Sequence, residues 1–193
     1  MRICVFGAAS PTIDKTYIEK VEALGEELVR RGHSLVFGGG NNGLMGAVAR
    51  GVKREGGYIF GVIPKFFGTE VIEEVCDFCD KLVKPDTMRE RKQIMEDNAD
   101  AFIIVPGGIG TYEEYFEILT SRQLCRHNKP IAMYNIDGYY DDILRAMENS
   151  IKKGFINEVC TELTFVSEDA KSIFEYIESA QGTKHTVKEL KNG

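Results

Sequence analysis

The chain has 193 residues, 43% of them hydrophobic and 28% charged, and a formal net charge of −6. That composition excludes a disordered chain and fits one soluble globular domain with a substantial core. An acidic balance with no basic run argues against nucleic acid or an acidic membrane as a partner.

The N-terminal "MRICVFGAASPT" holds an apolar run too short for a signal-peptide core. No stretch reaches the roughly 20 apolar residues of a membrane span. A cytoplasmic protein is expected. "RICVF" reads as a strand. "DKTYIEKVEALGEELVRRG" reads as a helix, with Tyr17, Val21, Leu24 and Leu28 at helical spacing and Gly32 past its end. "SLVF" is a second strand, "GLMGAVARGVKREGG" a second helix, and "YIFGVI" a third strand closed by Pro64. The piece from "KFFGTEV" to "CDKLV" is less regular and holds a short helix and a strand. "TMRERKQIMEDNA" is a helix and "DAFIIV" a wholly apolar strand. Then come the helix "GTYEEYFEILTSRQL", the strand "KPIAMYN", the helix "GYYDDILRAMENSIKKG", the strand "LTFV" and the helix "AKSIFEYIESA". The tail, residues 181–193, is polar and is expected to fray. Alternation of unbroken apolar strands with helices predicts an α/β fold, a doubly wound parallel sheet with helices on both faces. Ligands of such sheets bind beyond the carboxyl ends of the strands, where strand order reverses.

Five cysteines, Cys4, Cys76, Cys79, Cys125 and Cys160, are expected to be free thiols. Cys76 and Cys79 form a CxxC, but no second CxxC or paired histidine completes a zinc site. No metal and no cofactor are expected.

Two glycine-rich loops each follow a strand. In "FGGGNNGLMG", Gly38, Gly40 and Gly43 satisfy GxGxxG. The motif follows the second strand rather than the first, and the acidic residue a dinucleotide site needs about 20 residues later is missing. No Lys-Ser/Thr pair follows, so this is not a Walker loop. Phosphate contact by its backbone N–H groups and a tight packing turn at Gly43 and Gly46 are both open.

The second loop is "VPGGIGTYEE". Pro106 stops the strand, and Gly107, Gly108 and Gly110 let backbone N–H groups approach an anion at a helix start, with the Thr111 hydroxyl beside them. In the helix, Tyr112, Tyr115, Phe116 and Leu119 mark the packed face. On a helical wheel Glu114 is a solvated residue; its interest is that it lies one turn from the anion pocket. In "DTMRERKQIM", Arg89, Arg91 and Lys92 crowd a helix start, where the dipole disfavours cations. A cation facing the glycine loop would give that placement a purpose, and a solvated face would not.

Together, "GGGNNGLMG", "MRERK" and "PGGIGTYEE" resemble the LOG (Lonely Guy) family, cytokinin riboside 5'-monophosphate phosphoribohydrolases often labelled lysine decarboxylases. The similarity runs from about residue 2 to 180 and includes "DGYYDDIL" and "KKGFI". It implies a single Rossmann-like nucleotide-binding domain over residues 1–180, a homodimer, and hydrolysis of a cytokinin-type or purine nucleoside 5'-monophosphate to free base and ribose 5-phosphate. It points to Glu114 and Arg91 as the catalytic pair. Substrate-binding candidates are Ser10, Gly39, Gly40, Gly43, Met88, Lys92, Gly107, Gly108, Ile109, Gly110 and Thr111. Where the family carries Cys-Gly-Ser-Ser after the first strand, this chain reads Gly7-Ala8-Ala9-Ser10 and keeps only the last serine. No sequence context marks a Schiff-base lysine for pyridoxal phosphate. The alternative reading is a non-catalytic carrier or sensor of a nucleotide or phosphorylated cofactor on the same fold. A dinucleotide-dependent oxidoreductase is a weaker one.

Overall fold

The structure is a computed structural model and describes residues 1–69, 73–182 and 185–192. Its centre is one sheet of seven parallel strands in the order β4-β3-β2-β1-β5-β6-β7. The strands are β1 (Arg2–Phe6), β2 (Ser34–Phe37), β3 (Ile59–Val62), β4 (Lys81–Val83), β5 (Ala101–Ile104), β6 (Ile131–Tyr134) and β7 (Phe165–Ser167). β1 runs in register with β2 on one side (Cys4 opposite Val36) and with β5 on the other (Cys4 opposite Phe102). The order reverses between β1 and β5, as expected for a doubly wound sheet.

The helices are α1 (Lys15–Arg30), α2 (Gly43–Arg54), α3 (Lys65–Thr69), α4 (Met88–Asp97), α5 (Ile109–Gln123), α6 (Asp141–Lys152), α7 (Ala170–Ser179) and α8 (Val187–Asn192). The irregular piece of the sequence thus supplies α3 and β4. The strands feed two cores. On β1, Ile3 and Val5 join Leu24 and Leu28 of α1, Val48 and Val52 of α2, and Phe174 of α7. Cys4 and Phe6 turn to the opposite face, where they meet Met95 of α4 and Tyr115 and Ile118 of α5. This two-residue alternation between two buried faces explains why the strands read as unbroken apolar runs.

α1 buries Val21, Leu24 and Leu28 as its periodicity predicts. The α5 pattern is different. Tyr115, Ile118 and Leu119 are buried, but so are Thr111, Glu114 and Arg122, while Phe116 is 39% exposed. A helical wheel weighs only the sheet side. α5 is also flanked by α4, and that second neighbour covers Glu114. The C-terminal tail does not fray over its described part. Leu190 of α8 is fully buried, and its carbonyl accepts from the Gln123 amide at 3.2 Å. One apolar anchor in a polar segment docks it. No described helix is long and apolar enough to cross a membrane.

Gly43 opens α2 at φ +56°, and a Cβ there would lie 2.7 Å from the carbonyl oxygens of Ala8 and Ser10. Both the left-handed backbone and the backbone contact demand glycine. Gly43→Ala is expected to cost about 2–3 kcal/mol, measured by urea unfolding. A loss below about 0.5 kcal/mol would mean that the loop after β1 can move away freely.

Candidate active site

The site lies where the order of strands reverses. Ala8, just after β1, donates its N–H to the Pro106 carbonyl after β5 at 3.1 Å, fastening the two loops together. A cavity of about 350 Å³ opens beside them, and its lining includes Gly38, Arg91, Gly108, Thr111 and Glu114.

Arg91 comes from α4. That helix starts with a capping box: the Thr87 hydroxyl accepts from the Glu90 N–H at 3.1 Å and the Glu90 carboxylate accepts from the Thr87 N–H at 3.1 Å. An anionic side chain at the first turn offsets the cations crowded there, the compensation that a count of basic residues overlooks. The guanidinium reaches over the carboxyl edge of the sheet. It donates to the Val62 carbonyl at 3.1 Å, the Gly38 carbonyl at 3.4 Å and the Glu114 carboxylate at 3.4 Å. A Cβ on residue 38 would sit 2.1 Å from its terminal nitrogen, so glycine leaves the room Arg91 occupies. The Phe67 ring lies 5.7 Å from the guanidinium carbon, within cation–π range.

Glu114 is 8% exposed, and burial pushes its carboxyl up to about 7, against the opposing pull of Arg91 and a further push from Glu113. A carboxyl titrating near neutrality in a cavity beside a fixed cation suits acid–base work at physiological pH.

The two glycine loops end differently. At the start of α2, Leu44 and Met45 both direct their N–H groups to the Ala8 carbonyl, at 2.8 and 3.3 Å. Asn41 donates to the Glu74 carbonyl at 2.8 Å, and the Cys76 N–H donates to the Gly39 carbonyl at 2.9 Å. Protein therefore fills the first loop, and only Gly38 of its glycines lines the cavity; Gly39, Gly40 and Gly43 lie behind it. At the start of α5, Gly108 is the N-cap and offers no side-chain cap. The Tyr139 hydroxyl donates to the Gly107 carbonyl and the Tyr140 hydroxyl to the Val105 carbonyl, each at 2.7 Å. Those carbonyls are held back from the cavity, and the uncapped helix N-terminus presents donors to an anion.

Of the other candidates, Ser10, Gly108, Gly110 and Thr111 line this cavity. Gly107 lines the adjoining one, with Tyr17 and Tyr139. Ile109 is 89% exposed and Met88 37% exposed, and neither lines the cavity. Lys92 turns aside: its ammonium pairs with Glu113 and with Glu117 across to α5. Sequence reasoning missed Glu73, which lines the cavity with its carboxylate packed against Gly40, and Phe67. Both lie in the irregular segment, where no periodicity marks a position. Cys76 and Cys79 flank a tight turn beyond the first loop. Among the described residues no cluster of three or more His, Cys, Asp or Glu could hold a metal ion.

The profile of the family described as "Possible lysine decarboxylase" matches residues 45–177. The probable cytokinin riboside 5'-monophosphate phosphoribohydrolase LOGL5 of Oryza sativa subsp. japonica is 36% identical over 190 residues, covering 98% of this chain and 76% of its own. Cytokinin riboside 5'-monophosphate phosphoribohydrolase LOG7 of Arabidopsis thaliana is 39% identical over 182 residues, covering 92% and 81%. This chain belongs to the LOG phosphoribohydrolase family. Among solved structures, the molybdenum cofactor binding protein from Rippkaea orientalis superposes with a TM-score of 0.70 at 22% identity, covering 92% of this chain and 95% of its own. The Moco carrier protein from Chlamydomonas reinhardtii gives 0.69 at 18% identity, covering 93% and 96%. At that identity the likeness shows the Rossmann-like fold alone. The decarboxylase description finds no support in the LOG-family cavity, since none of the residues lining it is a lysine.

The buried carboxyl has a consequence for stability. Glu114 prefers its neutral form in the folded protein, so the stability present below its ordinary pKa of 4.5 is lost as pH rises through about 7. The shift amounts to about 3 kcal/mol at 1.36 kcal/mol per pH unit. Glu114→Gln, which cannot ionise, should gain about 2–3 kcal/mol on the parent between pH 5 and pH 8. Urea unfolding at both pH values reads this, and an equal difference at the two would mean that the fold leaves the Glu114 carboxyl at its ordinary pKa.

Proposed function

We propose that this LOG-family protein hydrolyses the N-glycosidic bond of a nucleoside 5'-monophosphate, with cytokinin-type and purine nucleotides as the substrate class, giving free base and ribose 5-phosphate. The observation that carries the proposal is the buried Arg91–Glu114 pair at 3.4 Å, about one and a half helical turns from the uncapped start of α5. The 5'-phosphate sits at that helix start, held by backbone N–H groups and Thr111. The sugar then lies over Glu114, about 7–8 Å further along the helix. Bond cleavage builds positive charge on the ribose ring. The Glu114 carboxylate stabilises that charge and takes a proton from the water that attacks C1', while the base leaves with its bonding electron pair and is protonated. Arg91 aims the carboxylate and opposes the burial that disfavours its ionised form.

The names of the relatives at 36% and 39% identity support the same reaction. A second reading, a carrier of a nucleotide or phosphorylated cofactor without turnover, is favoured by one feature. Ala8 and Ala9 bring no hydroxyl to the cavity they line. The cytoplasm suits a protein whose five cysteines are all unpaired.

The assay is release of ribose 5-phosphate from AMP, its N6-isopentenyl derivative and other nucleoside monophosphates. Glu114→Gln should lower turnover by about 10²–10⁴, and near-normal turnover would remove Glu114 from the mechanism. Arg91→Ala should be severely impaired in turnover; a raised KM alone would make Arg91 a binding residue only. The kcat/KM profile should fall as pH drops below about 7, because the ionised carboxylate is the working form. Tight nucleotide binding with no sugar phosphate released would favour the carrier.

A homodimer is part of the proposal. α6 is amphipathic, and its Ile143, Leu144 and Met147 pack on the core without being fully covered by it, while Phe155, just after it, is 82% exposed. A groove along it is lined by Leu144, Met147 and Ile151 of α6 and by Ile156. Ile151→Asp should convert a dimer to a monomer in size-exclusion chromatography with light scattering, and an unchanged mass would place the contact elsewhere.

A further inference from the structure

Lys92 has the sequence position of a phosphate ligand and the environment of something else. Its side chain is 11% exposed, as is that of Arg91 next to it. The ammonium crosses from α4 to α5, where it meets the Glu113 carboxylate and, at 2.5 Å, that of Glu117. Those two glutamates are one turn apart and lie on either side of Glu114 in sequence. Their outer ends reach solvent, at 53% and 41% side-chain exposure. One ion-pair cluster therefore ties α4 to α5 at the level where Arg91 meets Glu114.

We propose that Lys92 is a positioning residue for the Arg91–Glu114 pair: it clasps α4 to α5 and neutralises the two carboxylates that neighbour Glu114 on its own helix. The inference rests on Glu114 being the working carboxylate of the proposed hydrolysis.

The charges around the pair make the role necessary. Glu114 faces Arg91 from α4, Glu73 from across the cavity, and the Cys4 thiol from β1 below. On its own helix it has Glu113 and Glu117. On α4, Glu96 lies one turn beyond Lys92, and burial and Glu117 push its carboxyl up, with Lys129 and Lys92 opposing. Among the described residues Arg91 is the one cation in contact with Glu114, and it faces a crowd of carboxyls. Without Lys92, Glu113 and Glu117 would add their full repulsion to a site where burial already disfavours ionisation. With it, their charge is spent locally. A lysine so engaged has few donors left for a phosphate, and the phosphate site at the start of α5 works through backbone donors instead.

The test follows the Glu114 carboxyl directly, by carbon NMR of protein labelled at glutamate carboxyls, with Glu114→Gln assigning the resonance. In Lys92→Met the midpoint should rise by about half to one pH unit. In Lys92→Met/Glu113→Gln/Glu117→Gln it should return to the parent value. Glu113→Gln/Glu117→Gln, which alters half-exposed side chains and leaves the buried core intact, should lower it, and serves where Lys92→Met does not fold. A midpoint that moves in none of these variants overturns the proposal. So does a Lys92→Met protein whose KM for the nucleotide rises tenfold with an unmoved midpoint, which would make Lys92 a substrate ligand. The acid limb of kcat/KM should move with the midpoint. A shifting midpoint in a protein that hydrolyses none of the nucleotides would leave the role of Lys92 standing and remove the hydrolytic reading.

Discussion

Everything in this site depends on keeping one carboxylate out of water beside one guanidinium. A charge buried without a partner is prohibitive, and a buried pair is tolerable only if its remaining donors and acceptors are satisfied. Arg91 meets that condition through the sheet. Its other two hydrogen bonds go to carbonyls at the carboxyl ends of β2 and β3, Gly38 and Val62. In a parallel sheet all strands end on the same side, so those acceptors point into the crevice where strand order reverses. The position of Arg91, and through it that of Glu114, is set by the architecture.

The same constraint divides the labour of the two glycine loops. Both follow a strand and open a helix, yet only one offers free donors. The start of α2 is sealed by the Ala8 carbonyl, and segment 73–76 closes over its loop. Its glycines serve close packing and the passage of Arg91. The start of α5 keeps its donors because Tyr139 and Tyr140 hold the carbonyls of the preceding loop away from them. Free backbone donors and the passage for Arg91 thus fall to different loops.

Function here opposes stability. A neutral residue in place of Glu114 would suit the fold better above neutral pH, and the buried Lys92 spends its charge on two half-exposed glutamates where apolar packing would serve cohesion as well. Such local conflicts are what a working site is expected to retain. Elsewhere the levels agree: apolar strands, periodic helices and a capping box all favour the same fold.

What the sequence determined by itself was whatever is written in short-range order. Unbroken apolar runs specified buried parallel strands, and glycine before a helix marked a possible anion site. The resemblance that "PGGIGTYEE" and "MRERK" carry to the LOG family pointed to Glu114 and Arg91. Tertiary structure decided what depends on neighbours distant in the chain. Glu114 is solvated on a wheel and buried in the fold, because α4 covers a flank that the wheel leaves open. Lys92 faces two glutamates on α5 and lies off the cavity, since adjacent residues on a helix point about 100° apart. Glu73 and Phe67 joined the cavity from a segment without periodicity, and Leu190 anchored a tail whose composition read as frayed. A periodic pattern reports how a residue repeats along its own element; which other element comes to lie against it is settled only when the chain has folded.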